Sequence, residues 1–140
     1  MTPKQPATSN QQQIKRQQIT RGVDQFNSHD FWHAHEAWEA IWLTADGDEK
    51  RFLQGLIQLA AAYHHVKRGT LSGAIRLFDA AAAKLAGFPE GYLDVMRAAA
   101  VAVSIVHRER VSRGERIDAG EYPKLSYNSS TSSNLRNLTQ

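Results

Sequence analysis

The chain has no cysteine. That excludes disulfides, thiolate metal sites and a cysteine nucleophile, and it fits a reducing compartment. Long apolar runs are missing too. The longest nearly apolar stretch, Ala98 to Val106, is about half of what crosses a bilayer. The opening M-T-P-K-Q-P-A-T-S-N-Q-Q-Q lacks the apolar segment of a secretory signal, so a soluble, cytoplasmic protein without a membrane partner is expected. Val, Ile and Thr nowhere alternate with polar residues over a strand's length, which predicts no sheet. There is no Gly-rich phosphate loop and no Ser/His/Asp arrangement. A field of one charge sign is also lacking. The formal charge is +3 and both signs are interspersed. The densest basic stretch, His107 to Arg116, is interrupted by Glu109 and Glu115 and has no interleaved aromatic platform. It reads as a solvated helix end rather than a nucleic-acid contact.

What is present is helix. The 140 residues, 41% of them apolar, suffice for one domain with a core of its own. Residues 1–12, rich in Pro, Gln and Asn, are expected to be disordered, residues 13–111 to form a single helical domain, and residues 112–140 to be a mostly disordered tail. Ile14, Ile19, Val23 and Phe26 predict a first helix from Gln13 to about Asn27. Ser28 or Asp30 caps a second, Phe31 to about Thr44, anchored by Phe31, Trp38, Ile41 and Trp42 and closed by Gly47 in a left-handed C-cap. A third, Glu49–Lys67 with Asp48 as cap, is apolar almost all round and so should be central. Gly69 should close it. A fourth runs from Leu71 to Ala86 and a fifth from Tyr92 to about Val111, separated by the breaker Gly87-Phe88-Pro89-Glu90-Gly91. The expected fold is an all-α, compact antiparallel bundle of about five helices.

Chemistry concentrates in F-N-S-H-D-F-W-H-A-H-E-A-W-E-A-I-W, residues 26–42, which holds all three tryptophans of the chain. At 100° per residue, His35, Glu39 and Trp42 share a face, Glu36 lies on its flank, and His33 points to solvent with His29 also at the surface. On the third helix Gln54, Gln58 and His65 align along an otherwise apolar surface, with His64 to one side. Buried amides and imidazoles need partners, and an antiparallel second helix would offer His35 and Glu39. Three readings stay open at this stage. One is a hydrogen-bond network that sets helix register. Another is a divalent metal (zinc, iron or manganese) on His35, His65 and Glu39, with Glu36 as general base on a bound water. The last is a pocket for a small molecule or protein partner, lined by Gln54, Gln58, Trp42, His64 and Arg68, in a chain that self-associates as a homo-oligomer. H-E-A-W-E resembles the H-E-x-x-H helix of zinc proteases, but Glu39 stands where the second histidine would be.

Three blocks, F-N-x-x-D-F-W-H-A-H-E-A-W-E, R-F-L-Q-G-L-I-Q-L-A-A-A-Y-H-H and K-R-G-x-x-x-G-A-x-R-L, occur in order between Phe26 and Leu85. Together they resemble the domain-of-unknown-function family numbered 309. The resemblance implies a small all-α domain and carries the family label of a metal-dependent hydrolase, a label that itself rests on the H-E pair. The motif positions it implies are His35, Glu36, Glu39, Gln54, Gln58, His65, Arg68, Gly69 and Gly73. His33 and Thr70 depart from the pattern, which often has an acid and an Asn there.

Overall fold

The computed structural model describes residues 5–128. Five helices follow one another: α1 (Gln5–Asn27), α2 (Phe31–Trp42), α3 (Gly47–Arg68), α4 (Leu71–Leu85) and α5 (Ala98–Ser112). The all-α class expected from the sequence is the one observed. The absence of any sheet is corrected in one place: β1 (Val95–Met96) pairs antiparallel with β2 (Ser126–Tyr127). The disorder expected for residues 1–4 and 129–140 lies outside the described residues.

Helix α1 opens at Gln5 rather than Gln13. Pro6 stands in the first turn, where its missing N–H is harmless, and the glutamines that follow are good helix formers. One edge of α1 is apolar and buries Ile19, Val23 and Phe26. Asp30 caps α2 as expected, accepting the His33 N–H at 3.4 Å. Gly47 does adopt a positive φ of 57°, but it begins α3 instead of closing α2. The intervening loop is short, so Asp46 becomes the N-cap, and Asp48 and Glu49 fall in the first turn, beside the positive end of the helix dipole. Gly69, at φ 83°, closes α3 in the left-handed conformation, as its type suggests.

The fifth helix begins six residues later than its apolar pattern predicts, at Ala98 instead of Tyr92. Residues 91–97 are occupied with finishing α4. The buried Arg97 guanidinium turns back to donate to the carbonyls of Leu85, at the end of α4, and of Phe88 and Pro89 in the turn that follows. Glu90 pairs with Arg97 at 2.9 Å and accepts the N–H groups of Arg97 and Ala98, so one carboxylate serves the start of α5. Leu93 and Asp94 take positive φ in this turn.

Helix α3 is the central element, as its all-round apolarity implies. Tyr63 is wholly buried among Phe26, Phe31, Phe78 and Tyr122, with ring centroids between 5.0 and 6.0 Å. Past Ser112, where the composition reads as polar tail, Ile117 and Leu125 still join the core. Asn27 holds this segment with a reciprocal pair, donating to the Leu125 carbonyl at 2.7 Å and accepting its N–H at 2.8 Å.

Candidate functional site

Helix α2 lies antiparallel between α1 and α3. Trp38 fixes it to α1: its indole N–H donates to the Ile19 carbonyl at 3.2 Å, and its ring lies against Gly22. At the other end Lys50 of α3 places its ammonium 4.5 Å from the centre of the Trp42 ring. These two contacts fix the rotation of α2 and set His35, Glu36 and Glu39 where they stand.

His35 is largely buried, with its side chain 19% exposed and Nε2 3.9 Å from Glu39 Oε2. Its ring stacks on Trp32 at a centroid distance of 5.0 Å and 25° between planes. Trp32 in turn meets His64 of α3 at 5.2 Å, yet remains 47% exposed. An indole almost half exposed thus contacts two imidazoles, one from each helix. The His64 pKa is lowered, first by partial burial and then by the charges of Arg68, His65, His35 and Lys67. Its ring is therefore neutral at pH 7, with one nitrogen a donor and the other an acceptor. Trp32 is not among the site residues the sequence points to. The available signal was its spacing three residues before His35, on the same side of α2. Glu36 is exposed on the outside of the helix.

The line Gln54, Gln58, His65 does not meet His35 and Glu39, and this corrects the pairing expected above. His65 turns to α4. Its Nδ1 lies 2.7 Å from Thr70 Oγ1, its ring packs on Gly73, and it borders a groove of about 420 Å³ together with Gln58, Arg76, Leu77 and Ala80. The reason is angular. Helix α3 has a neighbour on each side, and the 100° between His64 and His65 sends the first toward α2 and the second toward α4. The register-setting network is not formed either, since no hydrogen bond joins any two of His35, Glu39, Gln58 and His65 among the described residues. His35 Nδ1 and Gln58 Oε1 are buried without a partner there. Gln54 is half-buried one turn before Gln58, Trp42 is occupied by Lys50, and Arg68 is exposed at the end of α3.

A divalent ion placed on α2 would have His35 and Glu39 as donors, with His65 on another face. Among the described residues no three His, Asp or Glu side chains converge as a metal set, so the donors do not fit that cofactor as arranged.

A second polar pair lies where no site was expected. His107 sits in the basic stretch that reads as solvated, yet it is buried, and its Nδ1 is 2.7 Å from the Tyr63 hydroxyl. Burial, then Arg110, lowers the His107 pKa, while Glu121 opposes. Burial raises the Tyr63 pKa. Both groups are thus neutral at pH 7, and the phenol and imidazole share one proton-bearing bond.

Helices α2 and α4 packed on α3, with α1 against α2 and α5 against α4, define a small all-α domain. Residues 19–77, from within α1 to within α4, match the family described as Domain of unknown function (DUF309). No curated protein matches the chain.

Proposed function

We propose that the protein is a non-catalytic recognition module that engages its ligand on the α2–α3 face through Trp32, His35 and His64. The observation that carries this reading is the indole of Trp32, almost half exposed yet held in place by two imidazoles. A large amphipathic ring fixed in advance at the surface loses little entropy on binding, which is why tryptophan dominates binding hot spots. His35 and His64 adjoin it with polar ring edges, and Glu39 lies within reach of the same face. Such a surface can stack on a flat group and hydrogen-bond its rim.

Trp32→Ala should weaken a bound partner by at least tenfold in calorimetry, about 2 kcal/mol for a central tryptophan. It should leave the melting temperature nearly unchanged, since the side chain is half in water. Equal affinity of the variant and the parent protein would remove this reading. The hydrolase reading keeps one specific support, the His35–Glu39 approach on a single helix turn. It requires near-stoichiometric metal in protein purified without a histidine tag, lost in His35→Ala. It also requires a hydrolytic turnover that Glu36→Gln abolishes.

A further inference from the structure

At the carboxyl end of α3, close to the amino end of α2, the start of α4 meets the segment after α5. Between them lies a cleft of about 430 Å³ bordered by Lys67, Arg68 and Gly69 of the α3 end, Leu71 of α4, and Gly114, Arg116, Asp118 and Ala119. Its apolar floor is Val66, Leu71 and Ile117, with Tyr122 at one side. We propose that this cleft binds the oxyanion of a small organic acid or phosphate ester between Lys67, Arg68 and Arg116, with the organic part of the ligand on that floor.

The charge balance is the first ground. None of Lys67, Arg68 and Arg116 forms an ion pair among the described residues. Lys67 donates to a neutral carbonyl, that of His29, at 2.8 Å, which positions the ammonium without neutralising it. Of the acids nearby, Glu121 binds Arg110, and Glu115 binds Arg110 and Arg113. Asp118, which also lines the cleft, is in no ion pair among the described residues and offsets one of the three cations. Net positive charge is therefore left over in the cleft.

The second ground is the backbone. Helix α4 starts at the rim of the cleft, and its N-cap, Thr70, makes no capping bond to it. The Thr70 hydroxyl is turned to His65 instead. The first N–H groups of a 15-residue helix are thus left without a side-chain acceptor, beside the excess cations. The opposing negative end of α3 is muted, because the Gly69 and Thr70 N–H groups occupy the carbonyls of Val66 and His65. A third ground is rigidity. Arg110 holds the far wall by donating to the Arg116 carbonyl at 2.9 Å as well as to Glu115 and Glu121. The guanidiniums offer flat donor pairs suited to carboxylate or phosphate oxygens.

The proposal is independent of the Trp32 surface, and its test uses the intact chain. Phenyl phosphate, benzoate, inorganic phosphate and benzyl alcohol are titrated while backbone amide resonances are followed. Phenyl phosphate or benzoate should saturate with a dissociation constant of about 1 mM or tighter, moving the amides of Gly69, Leu71, Ser72 and Ile117. Inorganic phosphate should bind at least fivefold more weakly and benzyl alcohol should not saturate. A response to phenyl phosphate alone identifies an ester site, and a response to benzoate alone a carboxylate site. Arg68→Gln and Arg116→Gln should each weaken binding about tenfold with unchanged melting, whereas Arg76→Gln, an exposed cation outside the cleft, should not. The proposal is overturned if no probe saturates those amides, or if Arg76→Gln weakens binding as much as the cleft variants.

Discussion

Tyr63 and His107 show what a single hydrogen bond is asked to do in this core. Both side chains are buried, and each is the other's polar partner at 2.7 Å. Removing the hydroxyl strands the imidazole, so Tyr63→Phe should cost roughly 1–3 kcal/mol in denaturant unfolding despite the near-identical shape. The same pair makes stability depend on pH. Burial holds the His107 pKa below its ordinary 6.5, so between that value and the folded one the unfolded chain binds more protons. Stability from this residue is then complete above about pH 6.5 and is lost as the pH falls toward the folded pKa. His64 shifts in the same direction, so it adds to the slope. His107→Gln should flatten the fall in melting temperature between pH 7 and pH 5 more than His64→Gln does. An unchanged slope in His107→Gln would show that the buried imidazole is not its source.

At the level of elements, close approach and capping decide the geometry. Gly22 lets α1 meet α2: a Cβ there would come within 2.2 Å of Trp38 Nε1. Gly22→Ala should therefore destabilise by about 1–3 kcal/mol although alanine is the better helix former, a reversal of sign that a thermal melt would register. Arg97 joins α4 to α5 from a buried position, and Arg97→Gln should cost roughly 3 kcal/mol or more by removing the guanidinium from Glu90 and from the carbonyls of Leu85, Phe88 and Pro89. These two residues also mark where the sequence was legible and where it was not. Periodicity located α2, α3 and α4 to within a few residues, because an apolar stripe is a local property. Gly22 could be read as a weak point of a helix, but the indole that requires it is sixteen positions away. The shortened α5 escaped for the same kind of reason: residues 92–97 continue its apolar pattern, while the Arg97 contacts that unwind them are tertiary. On α2 the angular reading does place His35 beside Glu39 and leaves His33 exposed. The error was to pair the His65 side of α3 with α2, since one angular step separates His64 from His65 and the sequence alone does not say which neighbour each meets.

For the molecule as a whole, the segment after α5 is a working part of the body. Ile117 and Leu125 are buried, and β2 lies along β1. Leu125→Ala should destabilise by about 2–5 kcal/mol, close to the cost of truncating a residue in α3, and equilibrium unfolding would measure it. A cost under about 0.5 kcal/mol, usual for a surface site, would mean that the segment is only draped on the bundle. The composition hid this role because Ile117, Tyr122 and Leu125 are too widely spaced to form a periodic pattern.

The Asn27 bond to Leu125 has a kinetic consequence. The bundle is otherwise built from neighbours in sequence, α1 with α2, α2 with α3 and α3 with α4, each closing a short loop. The amide of Asn27 instead joins groups 98 positions apart. Such a connection is entropically expensive to make early, so it should form after the folding transition state and open first on the way out. Asn27→Ala would then accelerate unfolding while leaving the refolding rate nearly unchanged in stopped-flow measurements. Slower refolding by the full amount of its destabilisation would place this closure inside the nucleus instead.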